Sequence, residues 1–418
     1  MDINKLLMGV DCSCGKHHEC DIEYVFVEDG AIARLTEICT KYSRVLLVAD
    51  ENTYAAAGEA TEAALAGKIF DRVIFSGKVV LIPNEDSVAK VNEHLADSDL
   101  IVGIGSGVIQ DLCKYVSHTN GVPYMVVATA PSMDGYASNG AAMIMGGMKV
   151  TYAAGLPRAL IADTAVLQSA PMDMIMAGYG DIVGKYSALN DWKLSQCVNG
   201  EYFCEYIYNL TYEMIEKTLS VAEGLTKRDK ESLRVLTEAL IVVGILMSFA
   251  GSSRPASGSE HHLSHYFEIV GILDGEEYFP HGIDVAYSTV VTAKIREDIL
   301  SRPFPKKIVR EDEAVLTQNI RDIYSSAAEG CIALQKKVGN YALDRSEVYL
   351  EKEAEIRAIL SEVPAAEKIS EMLARVGLDM AEFYKMYSEE KIAKAVKYAK
   401  DLKDRYTVLW INYDFGNY

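Results

Sequence analysis

The sequence predicts an α/β amino-terminal domain built on a parallel sheet, followed by an all-α carboxy-terminal domain. Short apolar, β-rich runs alternate with helical patterns over roughly the first 165 residues, which is typical of βαβ units. Long helical patterns dominate after about residue 171, and alternating β-branched runs are scarce there. We therefore expect one domain at residues 1–168 and a second at residues 169–418.

The predicted elements follow this alternation in order. DIEYVFV at 21–27 is expected to be a strand, and 31–42 an amphipathic helix. RVLLVA at 44–49 is a continuous apolar run, as in a strand buried on both faces of a parallel sheet. The segment 156–171 is interpreted as the passage between the domains. The remaining predicted elements are helix 59–66, strand 72–75, helix 87–96, strand 100–104, helix 108–117, strand 124–128, and, in the second domain, helices at 181–197, 202–225, 229–249, 260–271 and over most of the chain from 309.

Composition and charge narrow the classes of function. The chain has 60 acidic and 41 basic side chains, a formal net charge of −19, and half of its residues are apolar. This composition is that of a folded protein, and it argues against a nucleic-acid partner, which needs clustered Lys and Arg. The longest apolar stretch, 239–251, is shorter than the ~20 residues that span a bilayer, so a buried core helix is expected and no membrane partner. Without a recognisable secretory signal, and with too few cysteines for a disulfide scaffold, a cytoplasmic location is expected.

A glycine-rich loop, GIGSG at 103–107, stands between a predicted strand and a predicted helix. Glycines allow the backbone to approach a pyrophosphate closely, and the start of the helix stabilises its charge. The loop therefore predicts a phosphate site, with a turn that serves only packing as the alternative.

Asp50, at the end of the strand RVLLVA, has two interpretations. A carboxylate there can accept hydrogen bonds from ribose hydroxyls and disfavour a 2′-phosphate. It precedes the glycine loop by ~55 residues, however, rather than following it by about 20 as in the usual dinucleotide fingerprint. A helix N-cap without a ligand is the alternative.

The sequence ATAPSMDG at 128–135 follows the predicted strand at 124–128. Thr129 and Ser132 offer hydroxyls, Pro131 restricts the turn, and Asp134 adds a carboxylate. Ligands in open α/β sheets bind outside the carboxyl ends of strands, which predicts a ligand-facing loop. As a bare pattern it is only a capped turn.

A carboxylate and several histidines form the third group. Asp181 lies on a predicted helix, His261 and His265 share one helix face at a spacing of four residues, and His281 stands at a helix start. Asp181, His261 and His281 predict a catalytic site for Zn²⁺, Fe²⁺ or Ni²⁺ with open coordination positions. An ordinary polar cleft is the alternative.

A cluster near the amino terminus contains Cys12, Cys14, His17, His18 and Cys20. Its spacing is not the paired CxxC of structural zinc sites. A small β-hairpin with incidental thiols is therefore favoured over a zinc site.

Taken together, the motifs resemble the superfamily of iron-containing alcohol dehydrogenases, glycerol dehydrogenases and dehydroquinate synthases. The similarity is greatest to the sn-glycerol-1-phosphate dehydrogenase family, in its bacterial branch, and runs from about residue 10 to at least 300. The segments that carry it are ADENTY (49–54), GIGSGVIQD (103–111), VATAPSMDGYAS (127–138), GYGDIVGKYSALNDWKLS (178–195) and SSRPASGSEHHLSH (252–265).

The resemblance implies a Rossmann-like parallel sheet and an all-α domain, as in dehydroquinate synthase-like and iron-containing alcohol dehydrogenase-like folds. It implies hydride transfer between NAD(H), or NADP(H), and a small phosphorylated three-carbon substrate, interconverting dihydroxyacetone phosphate and sn-glycerol 1-phosphate. One divalent metal is implied: Zn, Ni or Fe. A polyol dehydrogenase, a lyase like dehydroquinate synthase and a non-catalytic relative are the alternatives, and the intact metal ligands argue against the last.

The resemblance assigns roles to particular residues of this chain. The implied cofactor-binding residues are Gly105, Ser106, Gly107, Val108, Ile109, Thr129, Ala130, Pro131, Ser132 and Ser138, with Asp50 as a candidate for the ribose. The resemblance implies Asp181, His261 and His281 as metal ligands. It also implies Asp134, Asp181 and His265 as catalytic residues that contact the substrate.

Two cations are candidate anchors for the substrate phosphate. They are Lys185, which alternatively extends to solvent, and Arg254. A homodimer is expected, and the aromatic closing segment 406–418 is expected to dock on the body of the protein or on a neighbouring subunit.

Overall fold

The structure is a computed structural model that describes residues 3–146 and 148–416, without the side chains of 148 and 149. Its strands are β1 (Val10–Asp11), β2 (His17–His18), β3 (Tyr24–Glu28), β4 (Val45–Asp50), β5 (Ile69–Phe75), β6 (Leu100–Gly105), β7 (Tyr124–Ala128), β8 (Gly140–Met145), β9 (Met148–Ala153) and β10 (Ala159–Asp163). Short 3-10 turns are found at Ala31–Arg34, Gly135–Ala137, Ser325–Ala327 and Ala399–Leu402.

The α-helices occupy most of the chain after the last strand. They are α1 (Ile3–Leu7), α2 (Leu35–Ile38), α3 (Glu51–Ala64), α4 (Glu85–Leu95), α5 (Gly107–Asn120), α6 (Thr164–Leu167), α7 (Met172–Asn199), α8 (Glu205–Ser220), α9 (Ala222–Thr226), α10 (Lys230–Ala250), α11 (Ser259–Asp274), α12 (His281–Ser301), α13 (Glu313–Tyr324), α14 (Ala328–Val338), α15 (Ser346–Glu351), α16 (Glu353–Leu360), α17 (Ala366–Ala374), α18 (Met380–Met386), α19 (Glu389–Tyr398) and α20 (Val408–Asp414).

The chain divides into two compact units. Unit 1 comprises Met1–Ile182 and Glu216–Ser253, and unit 2 comprises Val183–Ile215 and Arg254–Tyr418. These limits differ from the domains expected at 1–168 and 169–418. Within unit 1, α10 packs against α6, β3 and the turn Gly135–Ala137. Tertiary packing therefore groups this helix with the α/β part of the chain, although it follows the last strand by many residues.

Unit 1 is built around a six-stranded sheet with the order β3-β10-β7-β6-β4-β5. All neighbouring strands in it are parallel. The central strands β6, β7 and β10 are buried along their whole length, as expected for a parallel sheet covered on both faces. The predicted α/β fold class is confirmed.

Several elements differ from the sequence-based prediction. The segment 156–171, interpreted as a passage between domains, contains β10, which pairs with both β3 and β7. The antiparallel hairpin of β8 and β9 was not predicted. The predicted helix 31–42 is a 3-10 turn followed by the short helix α2.

Helix α10 is long and apolar enough to cross a membrane by length and composition. Of its most apolar 18-residue window, however, 78% is buried inside the protein. A helix in the core of a protein that does not enter a membrane can meet the same criteria. The extensive burial of α10 agrees with the core helix that the sequence predicts.

Among the described residues of unit 2, all regular secondary structure is helical. Helix α12 contacts α11, α17 and α20, so it lies at the centre of the unit. Every residue of α20 is buried, including Trp410, which confirms that the closing segment docks on the body of the protein. Residues 417 and 418 of that segment lie outside the described residues.

Candidate active site

The predicted cofactor loops leave neighbouring strands of the unit 1 sheet. The chain passes from β4 to β5 on one side and returns to β6 on the other, so the strand order reverses between β4 and β6. Asp50, Gly105 and Thr129 stand at or just after the carboxyl ends of β4, β6 and β7, which are adjacent in the sheet. Ligands of open α/β sheets bind at this kind of reversal.

The glycine loop leads into α5, and its glycines have a clear packing role. A Cβ added to Gly105 would lie 2.7 Å from the Cβ of Ile109, so only glycine allows this close approach. Ser106 is the N-cap of α5. The N–H groups of Gly107, Val108 and Ile109 lie in the first helical turn, where no intrahelical acceptor exists. Such N–H groups, at the positive end of the helix dipole, make an anion site.

The loop after β7 is bonded to the glycine loop. The hydroxyls of Ser106 and Ser132 form a short hydrogen bond. The hydroxyl of Tyr136 donates to the Ala130 carbonyl at 2.5 Å, and its oxygen lies 3.1 Å from Ser106 Oγ. Burial raises the pKa of Tyr136 to about 12, so it stays a donor at neutral pH. Tyr136 was not predicted to belong to the site.

A second connection joins the loops through the backbone. The N–H of Thr129 donates to the Gly105 carbonyl at 3.3 Å. Together with the serine pair, this bond brings the two predicted cofactor loops into one assembly, although about 25 residues separate them in sequence.

Lys114 is a further supporting residue that the motifs did not include. It is fully buried on α5, and its Nζ donates to the carbonyls of Gly135 and Gly140 at 2.8 and 2.9 Å and to Ser138 Oγ at 3.2 Å. Burial lowers the pKa of Lys114, while Asp111 and Asp134 oppose that effect. The Ser138 hydroxyl therefore contributes to loop structure, and its role toward a cofactor stays a prediction. A lysine on an otherwise buried helix face was the signal available in the sequence.

Two helical glycines contact the ATAPSMDG loop. A Cβ on Gly178 of α7 would overlap the Pro131 carbonyl oxygen, and one on Gly244 of α10 would lie 2.7 Å from the Asp134 carbonyl oxygen. The N–H of Asp134 also donates to Asp181 Oδ2 at 3.0 Å. The structure thus brings together Asp134 and Asp181, both predicted catalytic residues.

Asp50 acts as a helix cap. Its Oδ1 accepts from the N–H groups of Asn52 and Thr53 at 2.8 and 2.9 Å, and its own N–H donates to Thr53 Oγ1 at 3.0 Å. This capping box confirms the N-cap interpretation. A contact with a ribose stays a prediction.

In unit 2, the three predicted histidines lie together. The ring centroid of His281 is 5.1 Å from that of His261 and 5.3 Å from that of His265. His265, Glu268 and His281 each offer a ligand atom within 4.8 Å of the others. The four-residue spacing on α11 and the start of α12 at His281 produce this cluster.

Two neighbouring oxygens contact the Nδ1 atoms of these imidazoles. His261 Nδ1 lies 2.6 Å from Glu260 Oε1, and His281 Nδ1 lies 3.3 Å from Ser264 Oγ. A carboxylate oxygen accepts, so Glu260 places the proton of His261 on Nδ1 and leaves Nε2 as the metal-binding atom, the usual arrangement around metal-binding histidines. The Ser264 hydroxyl can donate or accept, so it holds the His281 ring without fixing its tautomer. Burial raises the pKa of the Glu260 carboxyl, and the Gly258 N–H and Lys185 oppose that effect. The imidazoles of His265 and His281 and the Glu268 carboxylate are donors of the kinds that bind divalent metals.

The two predicted phosphate anchors are both buried. Lys185 is fully buried and donates to the Ala256 carbonyl at 3.0 Å, so its alternative extension into solvent is wrong. Arg254 forms an ion pair with Glu201 at 2.5 Å and donates to the Tyr406 carbonyl at 3.0 Å. A substrate phosphate would have to compete with Glu201 for Arg254.

The chain is similar to several proteins of known family. A family model described as iron-containing alcohol dehydrogenase matches residues 26–171. The glycerol-1-phosphate dehydrogenase of Halalkalibacterium halodurans is 35% identical over 293 residues, which cover 68% of this chain and 73% of that protein. The chain belongs to the glycerol-1-phosphate dehydrogenase family. Another member of the family, from Bacillus velezensis, is 30% identical over 401 residues, 93% of this chain and 91% of that protein.

Solved structures share the fold of this family member at low sequence identity. Glycerol dehydrogenase from Schizosaccharomyces pombe superposes with a TM-score of 0.60 at 15% identity, covering 94% of this chain and 88% of that chain. Sulfoacetaldehyde reductase from Bifidobacterium kashiwanohense, solved with NAD⁺, gives a TM-score of 0.61 at 14% identity, covering 96% of this chain and 98% of that chain. These matches confirm the predicted combination of a Rossmann-like sheet and a helical domain.

Proposed function

We propose that this chain catalyses the NAD(P)-linked interconversion of dihydroxyacetone phosphate and sn-glycerol 1-phosphate at a divalent metal. Its membership of the glycerol-1-phosphate dehydrogenase family supports the reaction. The observation that carries the proposal is the clustering of His261 and His281, in which the Nδ1 of His261 contacts the Glu260 carboxylate so that Nε2 is presented as a ligand. A merely structural histidine does not require this pattern.

The cofactor is NAD(H) or NADP(H), with its diphosphate at the start of α5. The first-turn N–H groups at Gly107–Ile109 would receive the phosphate oxygens, and Thr129–Ser132 would line the same site. The hydrogen bonds between Ser106, Ser132 and Tyr136 hold the two loops in one arrangement before the cofactor binds. Asp50, at the adjacent strand end, favours NAD(H), because a carboxylate there repels a 2′-phosphate.

The proposed metal ligands are Asp181, His261 and His281, a set implied by the family. One carboxylate and two neutral imidazoles suit Zn²⁺, Ni²⁺ or Fe²⁺ and leave coordination positions open. When bound, the metal would polarise the substrate carbonyl as a Lewis acid.

The protein's own groups orient the reactants and move the proton. The N–H of Asp134 holds Asp181 Oδ2 and thereby fixes the orientation of this carboxylate. His265, next to His281, is the proposed donor of the proton that the product hydroxyl gains, because imidazole titrates near neutral pH. Asp134 is the proposed hydrogen-bond partner of the substrate hydroxyls.

Lys185 is the favoured anchor for the substrate phosphate. It lies one turn beyond Asp181 on α7, and burial strengthens the attraction of its ammonium for an anion. Arg254 is the second candidate, but it already has a carboxylate partner in Glu201.

We further propose a cytoplasmic homodimer that binds neither nucleic acid nor a membrane. The net charge of −19 supports the absence of a nucleic-acid partner, and the burial of α10 supports a core role for that helix. Light scattering at micromolar concentration tests the dimer, and a monomer would contradict it.

The deciding experiment follows NADH and NADPH oxidation by the metal-loaded protein, with dihydroxyacetone phosphate or dihydroxyacetone as substrate. We expect oxidation with the phosphorylated ketone, loss of activity after chelation, and recovery with Zn²⁺, Ni²⁺ or Fe²⁺. Equal rates with both ketones would instead indicate a polyol dehydrogenase. No oxidation with any of the metals would contradict the proposed reaction.

A further inference from the structure

Three side chains near the amino terminus form a compact group far from the predicted catalytic residues in sequence. Cys12, Cys14 and His18 each offer a ligand atom within 4.8 Å of the others, and Cys14 Sγ lies 3.4 Å from His18 Nε2. His17 is not part of the group, because its Nδ1 contacts exposed Asp11 at 2.7 Å. The structure therefore selects three members of the cysteine and histidine cluster in the sequence.

A tight hairpin holds the three side chains together. Strands β1 and β2 pair antiparallel, which confirms the predicted hairpin. Cys12 donates its N–H to the Lys16 carbonyl at 3.0 Å, and its own carbonyl accepts from the N–H of Gly15 at 3.0 Å. Gly15 has a φ of 86°, which favours glycine at this point of the turn. The backbone thus returns sharply enough to bring His18 beside both cysteines.

A backbone N–H group is directed at one of the sulfurs. The N–H of Cys14 donates to Cys12 Sγ at 3.5 Å. A hydrogen bond of this kind stabilises negative charge on sulfur, and a thiolate is the form of cysteine that binds metals. The hairpin therefore supplies both the position and the electrostatic support of a thiolate ligand.

His18 is fixed in the orientation of a metal ligand. The ring is 1% exposed and stacks on Phe249 with the centroids 5.3 Å apart and the planes 12° from parallel. Its Nδ1 lies 3.1 Å from the Phe249 carbonyl oxygen, which can only accept, so Nδ1 carries the proton. Nε2 is then the basic nitrogen, and it is the atom that faces Cys14.

We propose that Cys12, Cys14 and His18 bind a structural zinc ion as three of its four ligands, in addition to the catalytic metal. Two thiolates and one imidazole form the soft donor set that selects Zn²⁺ over Mg²⁺ or Ca²⁺. The fourth ligand comes from outside these three residues. The bound ion joins the amino-terminal hairpin to the end of α10 through His18 and Phe249, and its binding energy adds to the stability of unit 1.

Metal counting on the His261→Ala protein tests this site apart from the catalytic one. We expect about one equivalent of zinc per chain to remain after the catalytic metal is lost. Adding Cys14→Ser should remove that zinc, whereas the matched control Cys20→Ser should retain it. Neither readout depends on enzyme activity, so the outcome is separate from that of the proposed dehydrogenase reaction.

Cobalt substitution gives a second readout that does not need a cysteine variant to fold. Co²⁺ added to the metal-free His261→Ala protein should produce thiolate-to-cobalt absorption in the near ultraviolet, which Zn²⁺ abolishes. Absence of zinc from this protein, together with no such absorption, would overturn the proposal. It would also be overturned if Cys14→Ser folds and keeps its zinc.

Discussion

At the scale of single residues, the candidate metal site depends on neighbours that the motifs did not single out for a role. Glu260 is fully buried and contacts both His261 Nδ1 and the N–H of Gly258. It thus fixes the orientation of one proposed ligand while being fixed itself by the backbone. Supporting residues of this kind tune metal affinity without touching the metal.

Replacing Glu260 with glutamine should weaken metal binding while the fold is kept. The neutral amide supports the Nδ1 proton of His261 less strongly, and we expect metal affinity to fall by about 10–100-fold. Competition with a chromogenic chelator measures the affinity. Glu276→Gln is the control, because Glu276 is exposed and pairs with Lys391 instead. Equal affinities of the two variants would contradict the role of Glu260.

Asp284 predicts a pH dependence of stability. Burial raises its pKa well above the ordinary 3.8, with Glu268 adding to the rise while Tyr387 and Lys391 oppose it. Because the folded carboxyl binds its proton more tightly than the unfolded one, ionisation costs stability as pH rises above 3.8 toward the folded pKa. The cost is largest above that pKa.

Asp284→Asn should therefore stabilise the protein at neutral pH. The amide keeps an oxygen for the Tyr387 hydroxyl, which lies 3.0 Å from Asp284 Oδ1, and carries no buried charge. We expect the free energy of unfolding in urea to rise by on the order of 1 kcal/mol at pH 7, and the gain to vanish near pH 4. Asp298→Asn should show no such gain, because Asp298, on the same helix as Asp284, is only half-buried and pairs with Arg302. A gain for Asp284→Asn that is the same at both pH values would refute this explanation.

At the scale of secondary-structure elements, helix α7 contacts the ATAPSMDG loop through a glycine. Gly178→Ala would force the new Cβ into the Pro131 carbonyl, so the helix and the loop must separate. We expect a loss of about 1–3 kcal/mol in unfolding free energy and weaker NAD(P)H binding, measured by denaturation and by nicotinamide fluorescence.

Gly330→Ala is the matched control for this substitution. Gly330 lies within α14, and an added Cβ would meet nothing within 4 Å. Removing a helical glycine there should stabilise the protein by about 0.5–1 kcal/mol and leave cofactor binding unchanged. If Gly178→Ala also stabilised the protein and left cofactor binding unchanged, this would contradict the close approach of α7 to the Pro131 carbonyl.

The elements with strong local patterns were predictable from the sequence. The strand at 124–128 matches β7 residue for residue, and RVLLVA at 44–49 differs from β4 by one residue at each end. β10 was missed because ALIAD is short and follows a proline-containing loop, so its strand character depends on pairing with β3 and β7. The hairpin of β8 and β9 was missed because its first strand, GAAMIM, shows no alternation of apolar and polar residues, although MKVTYA in β9 does alternate.

The candidate site was predictable where motifs exist and not where it depends on distant partners. His261, His265 and His281 were predicted together from spacing and resemblance, and they do cluster. Tyr136 was missed because its partner Ser106 lies on another loop and nothing local distinguishes a supporting tyrosine from an ordinary one. Lys114 was missed because its partners also lie on another loop, although its place on an otherwise buried helix face was a signal.

At the scale of the whole molecule, unit 1 is discontinuous in sequence. Helix α10 covers α6, β3 and the turn Gly135–Ala137, so the α/β part of the chain lacks one of its packing partners without residues 216–253. Domain limits drawn from the alternation of strands and helices alone cannot include such a helix. These contacts depend on packing across 62 residues of intervening chain for α6, 92 for the turn Gly135–Ala137 and 201 for β3.

A fragment of residues 1–168 should therefore fail to unfold cooperatively in urea, because it leaves that apolar surface exposed. A second fragment, in which 1–182 is joined to 216–253 by a flexible Gly/Ser linker, should unfold cooperatively. Circular dichroism during urea titration compares the two. Cooperative unfolding of 1–168 by itself would show that α10 is not needed.

The position of α10 in the chain also delays the folding of unit 1 during synthesis on the ribosome, because α10 is made well after the sheet that belongs to the same unit. Ribosomes add about 5–20 residues per second, so about 4–16 s pass between completion of residue 168 and completion of residue 250. During that interval the surface of α6, β3 and the turn Gly135–Ala137 that α10 covers stays exposed, which makes it a target for chaperones that bind nascent chains. Replacing codons in 169–250 with slower ones would lengthen this exposure and increase aggregation, even though the mature sequence is unchanged.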